Sequence, residues 1–173
     1  MMRAVILDRD GVINDHRDYV NTPNDLYLFD FAAGAIRRLN EAGFLVVVAT
    51  NQGGVGLGYM SEDTLQAIHK KMLRELREQG AEIHDVAACT HAPKAGCSCR
   101  KPKPGLLLEL QRKHGFDLTA SYMVGDMETD VEAGQSAGTH TVRIGRGPSA
   151  ADYVATDLAD AARWIVADAF TGL

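Results

Sequence analysis

Two carboxylates at the end of a short apolar segment are the residues of this sequence best placed for chemistry. Residues 5–7 are Val-Ile-Leu, and Asp8 and Asp10 follow them on either side of Arg9. In extended chain, residues i and i+2 point the same way, so both acids begin on one side of a predicted strand end. Like charges there are unfavourable unless a cation or a pKa shift compensates them. A nucleophilic carboxylate, an acid–base partner and a metal would explain the pair, although a strand followed by a turn would also produce it.

Polar side chains also follow two later apolar segments. Thr50 and Asn51 come after residues 44–49, and both can donate hydrogen bonds to phosphoryl oxygens. Asp126 follows a third apolar segment, as Asp8 follows the first. The two carboxylates are predicted to share a Mg²⁺, because this ion prefers oxygen ligands and often uses only one or two carboxylates. Asp130 is interpreted either as a helix N-terminal residue or as a support for that metal site.

The three cysteines of the chain lie close together, with one histidine among them. The group is Cys89, His91, Cys97 and Cys99. Three thiolates and an imidazole are a common ligand set for a tetrahedral structural Zn²⁺, which would hold the loop 89–99 and leave no coordination position open. A reducible disulfide and unreactive thiols are the alternatives.

A cationic segment follows the last cysteine directly. Its sequence is Arg100-Lys101-Pro102-Lys103-Pro104, and the two prolines restrict its backbone. Positive charge held in place is what a transferring phosphoryl group requires. A solvated basic loop is the alternative, and it suits Lys103 better than Lys101.

Alternating strand and helix patterns must position these motifs. Predicted strands cover residues 3–7, 44–49, 83–88, 122–124 and 141–144, and predicted helices cover 32–42, 61–79, 105–114, 130–137 and 158–169. The alternation indicates an α/β, Rossmann-like parallel sheet flanked by helices, in a single domain spanning 1–173 without a large cap domain. Ligands of such sheets bind at the carboxyl ends of the strands, so Asp8, Thr50 and Asp126 are predicted to meet at one site.

Composition sets the outer limits on function. The 173 residues are 46% hydrophobic and 24% charged, which is ordinary for a soluble globular protein. A net charge of −5 does not indicate a protein that binds nucleic acid. No apolar run reaches the roughly 18 residues needed to span a membrane. The N-terminus passes from Met-Met-Arg straight into the first predicted strand, without a signal-peptide pattern, so a cytoplasmic location is expected. A monomer is also expected.

The motifs, taken in order, resemble those of the haloacid dehalogenase superfamily of phosphohydrolases. They are D-x-D-G-x-x-N from Asp8, Thr50 after an apolar strand, Lys-Pro at Lys101, and G-D-x-x-x-D around Asp126. The C-x-H and C-x-C-R-K-P segments narrow the resemblance to the small capless branch that contains heptose bisphosphate phosphatases and histidinol phosphatases. The similarity covers nearly the whole chain.

The resemblance implies a role for each matched residue. Asp8 attacks phosphorus to form an aspartyl-phosphate, and Asp10 protonates the leaving oxygen and then deprotonates the attacking water. Thr50 and Lys101 stabilise the transferring phosphoryl group. Mg²⁺ is held by the Asp8 carboxylate, the main-chain carbonyl of Asp10 and Asp126. The implied substrate-binding residues are His16, Tyr19, Asn51, Gln52 and Arg100.

The implied reaction is removal of the 7-phosphate from D-glycero-D-manno-heptose 1,7-bisphosphate. Histidinol phosphate or another small phosphomonoester is the alternative substrate, and a zinc-stabilised binding module is the alternative outside enzymes. The chain departs from the family pattern at Met127, where a Lys is common, and at Leu57, where many members carry an Arg. Both departures remove positive charge near the site, so they bear on the substrate and not on phosphoryl-transfer chemistry.

Overall fold

The computed structural model describes residues 1–171 as one parallel sheet with helices on both faces. The strands are β1 (Ala4–Leu7), β2 (Leu45–Asn51), β3 (Asp85–Cys89), β4 (Tyr122–Gly125), β5 (His140–Ile144) and β6 (Tyr153–Ala155). The helices are α1 (Ala32–Glu41), α2 (Glu62–Glu78), α3 (Gly105–His114), α4 (Glu128–Ala137) and α5 (Leu158–Phe170). The sheet order is β3-β2-β1-β4-β5-β6, and every neighbouring pair is parallel. The predicted α/β class is therefore confirmed.

The two faces of β1 supply the two halves of the core. Val5 and Leu7 pack in a cluster with side chains of α1, α2 and α5. Ala4 and Ile6 point the other way and pack with side chains of α3 and α4. A parallel strand that is covered on both faces needs apolar residues at every position, which is why β1 is uniformly apolar up to Asp8. The catalytic candidates begin where that apolar run ends.

Local capping determines where two helices begin. The Ser61 hydroxyl accepts a hydrogen bond of 3.1 Å from the Thr64 amide, so α2 begins after Ser61. α4 begins at Glu128, two residues before its predicted start, because the Asp130 carboxylate accepts a bond of 3.1 Å from the Met127 amide. Across residues 1–171, no helix has both the length and the apolar character needed to cross a membrane.

The edge strand β6 is absent from the sequence prediction. It contains three residues, too few for a periodic apolar pattern to emerge. Its place depends on long-range contacts: it pairs with β5, and the Tyr153 ring stacks on Trp164 of α5 with centroids 4.9 Å apart. Tertiary packing therefore determines this strand.

Candidate active site

The carboxyl ends of β1, β2 and β4 bring the predicted residues to one place. Asp8 and Asp126 directly follow β1 and β4, and the Asp8 amide donates to the Val124 carbonyl at 2.9 Å. Carboxylate oxygens of Asp8, Asp126 and Asp130 lie within 4.8 Å of one another. The structure thus places three acids, two of them predicted as metal ligands, around one point.

A glycine permits the close approach of the first loop to Asp126. Gly11 has a φ of +80°, which favours glycine, and a Cβ at this position would overlap the Asp126 carboxylate. The loop that carries Asp10 therefore passes directly over the end of β4. This contact brings the backbone of Asp10 beside the acid cluster.

Lys101 is buried at the centre of the acid cluster and is only 3% exposed. Its Nζ donates to the Ala49 carbonyl at 2.9 Å and to Asp130 Oδ1 at 2.6 Å, and it lies 3.0 Å from Asp8 Oδ1. Burial lowers the Lys101 pKa, but the charges of Asp8 and Asp130 outweigh burial, so the net pKa lies above its ordinary value. The ammonium group is therefore a permanent positive charge beside Asp8.

The charged groups that surround Lys101 in the cluster are the carboxylates of Asp8, Asp126 and Asp130. Burial raises the pKa of Asp8 to about 7, although the Lys101 charge opposes this rise. Burial and the neighbouring Asp130 carboxylate raise the pKa of Asp126 as well. One ammonium does not balance three carboxylates, and a divalent cation would do so. Because the donors are hard carboxylate oxygens, the residues present fit Mg²⁺.

The two carboxylate oxygens of Asp10 accept different numbers of hydrogen bonds. Its Oδ1 accepts from Arg9 Nε at 3.1 Å, from Arg9 Nη2 at 2.9 Å and from Asn14 Nδ2 at 3.1 Å. Its Oδ2 accepts from Gln52 Nε2 at 3.1 Å. Burial raises the Asp10 pKa, but the Arg9 charge and the Asn14 hydrogen bond outweigh burial, and the net pKa is below its ordinary value.

The polar residues at the end of β2 bond mainly to other site residues. Gln52 Nε2 also donates to Thr50 Oγ1 at 2.9 Å, so the Thr50 hydroxyl keeps its own hydrogen to donate to a phosphoryl oxygen. The Asn51 amide pairs with the backbone of Lys101, donating to its carbonyl at 3.2 Å and accepting from its amide at 3.0 Å. In the structure, Asn51 thus attaches the Lys101 segment to β2, whereas the sequence suggested a contact with substrate.

Of the other predicted substrate-binding residues, His16 lies near Asp10, Tyr19 lies beside His16, and Arg100 lies beside the segment that follows Gln52. His16 Nδ1 lies 4.0 Å from Asp10 Oδ1, and its ring meets Tyr19 edge to face with centroids 6.1 Å apart. Tyr19 is 81% exposed. The Arg100 guanidinium packs against Gly53, and within residues 1–171 it forms no ion pair. Arg100 therefore has positive charge to offer an anionic substrate.

The four predicted zinc ligands also come together. Their ligand atoms lie within 4.8 Å of one another. Cys89 Sγ is 3.6 Å from both Cys97 Sγ and His91 Nδ1, and His91 Nδ1 is 3.1 Å from Cys99 Sγ. A tetrahedral site with Zn–S bonds of about 2.3 Å separates its sulfurs by roughly 3.8 Å, and the Cys89–Cys97 distance is close to that value. The Cys89 and Cys99 sulfurs are in bonding contact, which is the disulfide alternative, with Cys97 as the free thiol.

The sequence assigned no role to three residues that support the site, Arg9, His69 and Asn14. Arg9 is fully buried, and its Nη1 lies 3.1 Å from Nε2 of His69 on α2. No motif of the sequence includes His69. Burial, assisted by the Arg9 charge, lowers the pKa of His69 to about 4, so its ring is neutral near pH 7. Asn14 could have been found, because it ends the D-x-D-G-x-x-N motif.

Comparison with known proteins agrees with this arrangement. A family model described as HAD-hydrolase-like matches residues 98–172. The D-glycero-beta-D-manno-heptose-1,7-bisphosphate 7-phosphatase of Rhodopseudomonas palustris is 46% identical over 142 residues, which cover 78% of this chain and 79% of that protein. The enzyme of the same name from Yersinia pestis is 36% identical over 172 residues, covering 91% of this chain and 92% of its own.

Solved structures show the same likeness. The crystal structure of D,D-heptose 1,7-bisphosphate phosphatase from B. bronchiseptica, complexed with magnesium and phosphate, superposes with a TM-score of 0.89 at 35% identity, covering 96% of this chain and 99% of that one. A putative HAD-like phosphatase from Mesorhizobium loti gives a TM-score of 0.84 at 33% identity, covering 95% of this chain and 86% of its own. The chain therefore belongs to the haloacid dehalogenase-like phosphatase family of which these relatives are members.

Proposed function

We propose that this protein is a Mg²⁺-dependent phosphatase that removes the 7-phosphate from D-glycero-D-manno-heptose 1,7-bisphosphate. The observation that carries the proposal is the buried group in which Lys101 lies between Asp8 and Asp130, beside Asp126. Relatives that carry the heptose bisphosphatase name, at up to 46% identity, support the substrate. The complex of one relative with magnesium and phosphate supports the cofactor.

In the proposed first step, an oxygen of Asp8 attacks phosphorus and the bond from phosphorus to the sugar oxygen breaks. Lys101 holds Asp8 Oδ1, which leaves Oδ2 to attack, and Thr50 donates to the phosphoryl group. Asp10 must take up a proton before this step, because its pKa lies below its ordinary value, and it gives that proton to the departing sugar oxygen. Mg²⁺ bound by Asp8, Asp126 and the Asp10 carbonyl would reduce the repulsion between the anionic nucleophile and the anionic substrate.

In the proposed second step, Asp10 takes a proton from a water molecule that attacks the aspartyl-phosphate. The bond between phosphorus and Asp8 breaks, which releases inorganic phosphate and restores the Asp8 carboxylate. Using one group first as acid and then as base returns Asp10 to its starting protonation state. Both steps need Asp10 within reach of phosphorus, and its bond to Gln52 places it beside Thr50.

Substrate selection is expected to depend on Arg100, His16 and Tyr19. Arg100 supplies positive charge for a second phosphate, and His16 and Tyr19 supply polar and aromatic contacts. Met127 is 58% exposed and Leu57 is 50% exposed, so the two positions that depart from the family pattern present apolar groups to solvent. Histidinol phosphate, or another phosphomonoester of lower charge, is therefore the competing substrate.

Phosphate release from a panel of substrates tests the function. The panel contains both anomers of heptose 1,7-bisphosphate, the heptose monophosphate and histidinol phosphate, each assayed with Mg²⁺ and with EDTA. We expect Mg²⁺-dependent release that is fastest with one bisphosphate anomer. A preference for histidinol phosphate would keep the chemistry and reject the substrate. Absence of release from every compound would reject the function.

We also propose that Cys89, His91, Cys97 and Cys99 bind one structural Zn²⁺. A single metal ion would use all four groups, whereas a Cys89–Cys99 disulfide uses two and leaves Cys97 and His91 without a role. The site lies next to Arg100 and Lys101, so it would hold one end of the segment that carries the catalytic ammonium. Four protein ligands leave no position for substrate.

Metal and thiol content distinguish the two arrangements. We expect about one zinc per chain, and three titratable thiols after denaturation in EDTA without reductant, because structural zinc sites are closed thiolate sites. A Cys97→Ser variant should lose zinc and melt earlier, while replacement of the exposed Ser98 by Ala should change neither property. One titratable thiol after the same denaturation, with no zinc, would establish the disulfide instead.

The expected monomeric state, cytoplasmic location and lack of nucleic-acid binding stay predictions. The net charge of −5 supports the last of them, since nucleic-acid binding relies on positive charge. Thiolate zinc ligands suit a reducing compartment. Light scattering of the purified protein measures the oligomeric state directly.

A further inference from the structure

Arg9 is a charged side chain that the proposed reaction does not use. It stands between the two catalytic acids in sequence, yet it is 0% exposed. A guanidinium group out of contact with water is unfavourable unless its charge and its donors are matched by partners. An aliphatic residue would fill the same space without that penalty. The partners of Arg9 therefore indicate what the residue does.

The guanidinium group joins Asp10 to α2. Two of its nitrogens, Nε and Nη2, donate to the same oxygen, Asp10 Oδ1, at 3.1 Å and 2.9 Å. Its Nη1 lies 3.1 Å from His69 Nε2. Arginine has donors only, so the histidine nitrogen must be the acceptor, and the ring must be neutral with its proton on Nδ1.

The packing of α2 holds His69 in a fixed position. His69 follows Ile68, which is fully buried, and it lies between Leu65 and Met72, which are buried one helical turn before and after it. A histidine held by this face of the helix fixes the far end of the guanidinium group. Arg9 in turn has a fixed position from which to hold Asp10.

The two oxygens of Asp10 are left in unequal surroundings. Three donors reach Oδ1: two nitrogens of Arg9 and the Asn14 amide. One donor reaches Oδ2, the Gln52 amide. An oxygen that already accepts three hydrogen bonds has no lone pair left for a proton, whereas Oδ2 does.

We propose that Arg9 is a positioning residue which, anchored by His69, holds Asp10 through Oδ1 and so makes Oδ2 the oxygen that transfers the proton. This inference rests on the proposed function, because it concerns the acid–base step of that reaction. Neither Arg9 nor His69 touches the reacting atoms. Their effect is on the orientation of the carboxylate that does.

Two kinds of leaving group separate this role from a general structural one. A sugar alkoxide needs a proton from Asp10 as it leaves, whereas the 4-nitrophenolate of 4-nitrophenyl phosphate leaves without one. The ratio kcat/KM covers binding through transfer of the phosphoryl group to Asp8, and so excludes the later hydrolysis step. A misplaced Asp10 should lower this ratio for the sugar phosphate alone.

The test uses His69→Leu, which removes the acceptor, and His69→Gln, which places an amide oxygen near the position of Nε2. We expect His69→Leu to lower kcat/KM about 10-fold for the sugar phosphate that the wild type hydrolyses fastest, and less than about 2-fold for 4-nitrophenyl phosphate. His69→Gln should restore most of the loss. Arg9→Lys, which keeps the charge but loses the two-pronged contact, should resemble His69→Leu.

Two results would overturn the proposal. One is an equal loss on both substrates, which would mean that His69 only supports the fold. The other is an unchanged ratio on the sugar phosphate in a folded His69→Leu variant, which would mean that Arg9 needs no anchor. The wild type is the control for the proposed function itself. If it hydrolyses neither substrate in Mg²⁺, then the function fails and not merely the role of Arg9.

Discussion

Replacement of Asp8 by Asn is expected to lower kcat by a factor of about 10⁴ or more, because an amide cannot take the place of the carboxylate that attacks phosphorus. The same variant should fold normally. Burial raises the pKa of Asp8 to about 7, so the folded protein gains little from its negative charge near neutral pH without a metal. Phosphate release and the melting temperature in EDTA measure the two effects separately.

Mg²⁺ binding adds a third readout to the Asp8→Asn experiment. A ligand stabilises the state that binds it, so Mg²⁺ should raise the melting temperature of the wild type and raise that of the variant less. Asp30→Asn, at an exposed aspartate outside the acid cluster, is the matched control and should behave as the wild type does. Retention of more than a few per cent of activity by Asp8→Asn would exclude Asp8 as the nucleophile.

Replacement of Lys101 by Met is expected to remove both activity and stability. The ammonium holds two buried carboxylates, Asp130 at 2.6 Å and Asp8 at 3.0 Å. Loss of one partner from a buried ion pair typically costs about 3–5 kcal/mol, because the remaining charge is left unpaired. For a chain of this size, that loss corresponds to a fall in melting temperature of roughly 10 °C.

The stability deficit of Lys101→Met should depend on pH in a definite direction. Burial raises the pKa of Asp8, and Lys101 is the charge that opposes this rise, so the Asp8 pKa of the variant should exceed the wild-type value of about 7. A carboxyl with a raised pKa in the folded state stabilises the fold below its unfolded pKa, and this contribution is lost as the pH rises through the folded pKa. Denaturation in EDTA should therefore show the largest deficit near pH 8 and a smaller one near pH 5.

A matched control separates this effect from general loss of positive charge. Lys94 lies on the exposed part of the cysteine loop, so Lys94→Met removes the same charge from a solvated position. We expect it to change stability by less than about 0.5 kcal/mol, as is usual for surface substitutions. A Lys101→Met deficit that is equally large at pH 5 and pH 8 would contradict the assigned ion pairs and would indicate a packing defect instead.

The sequence by itself determined the class of the fold and the place of the site. Apolar segments such as residues 5–7 must be buried, and the polar residues that follow them must then lie at strand ends. Alternation with helices makes the sheet parallel, and its strand ends converge on one edge. Asp8, Thr50 and Asp126 could therefore be brought together from spacing alone. The cysteine cluster was predictable for a simpler reason: its residues are close together along the chain.

Only the tertiary structure decided which side chains are partners. Arg9 follows a strand and would ordinarily be solvated, yet it is buried against His69, sixty residues away. The Asn51 amide binds the backbone of Lys101, and Asp130 both caps α4 and holds Lys101. β6 forms because it pairs with β5 and because its Tyr153 stacks on Trp164. Periodic patterns specify which face of an element is buried, but the direction and reach of one side chain toward a distant segment exist only once the elements are packed.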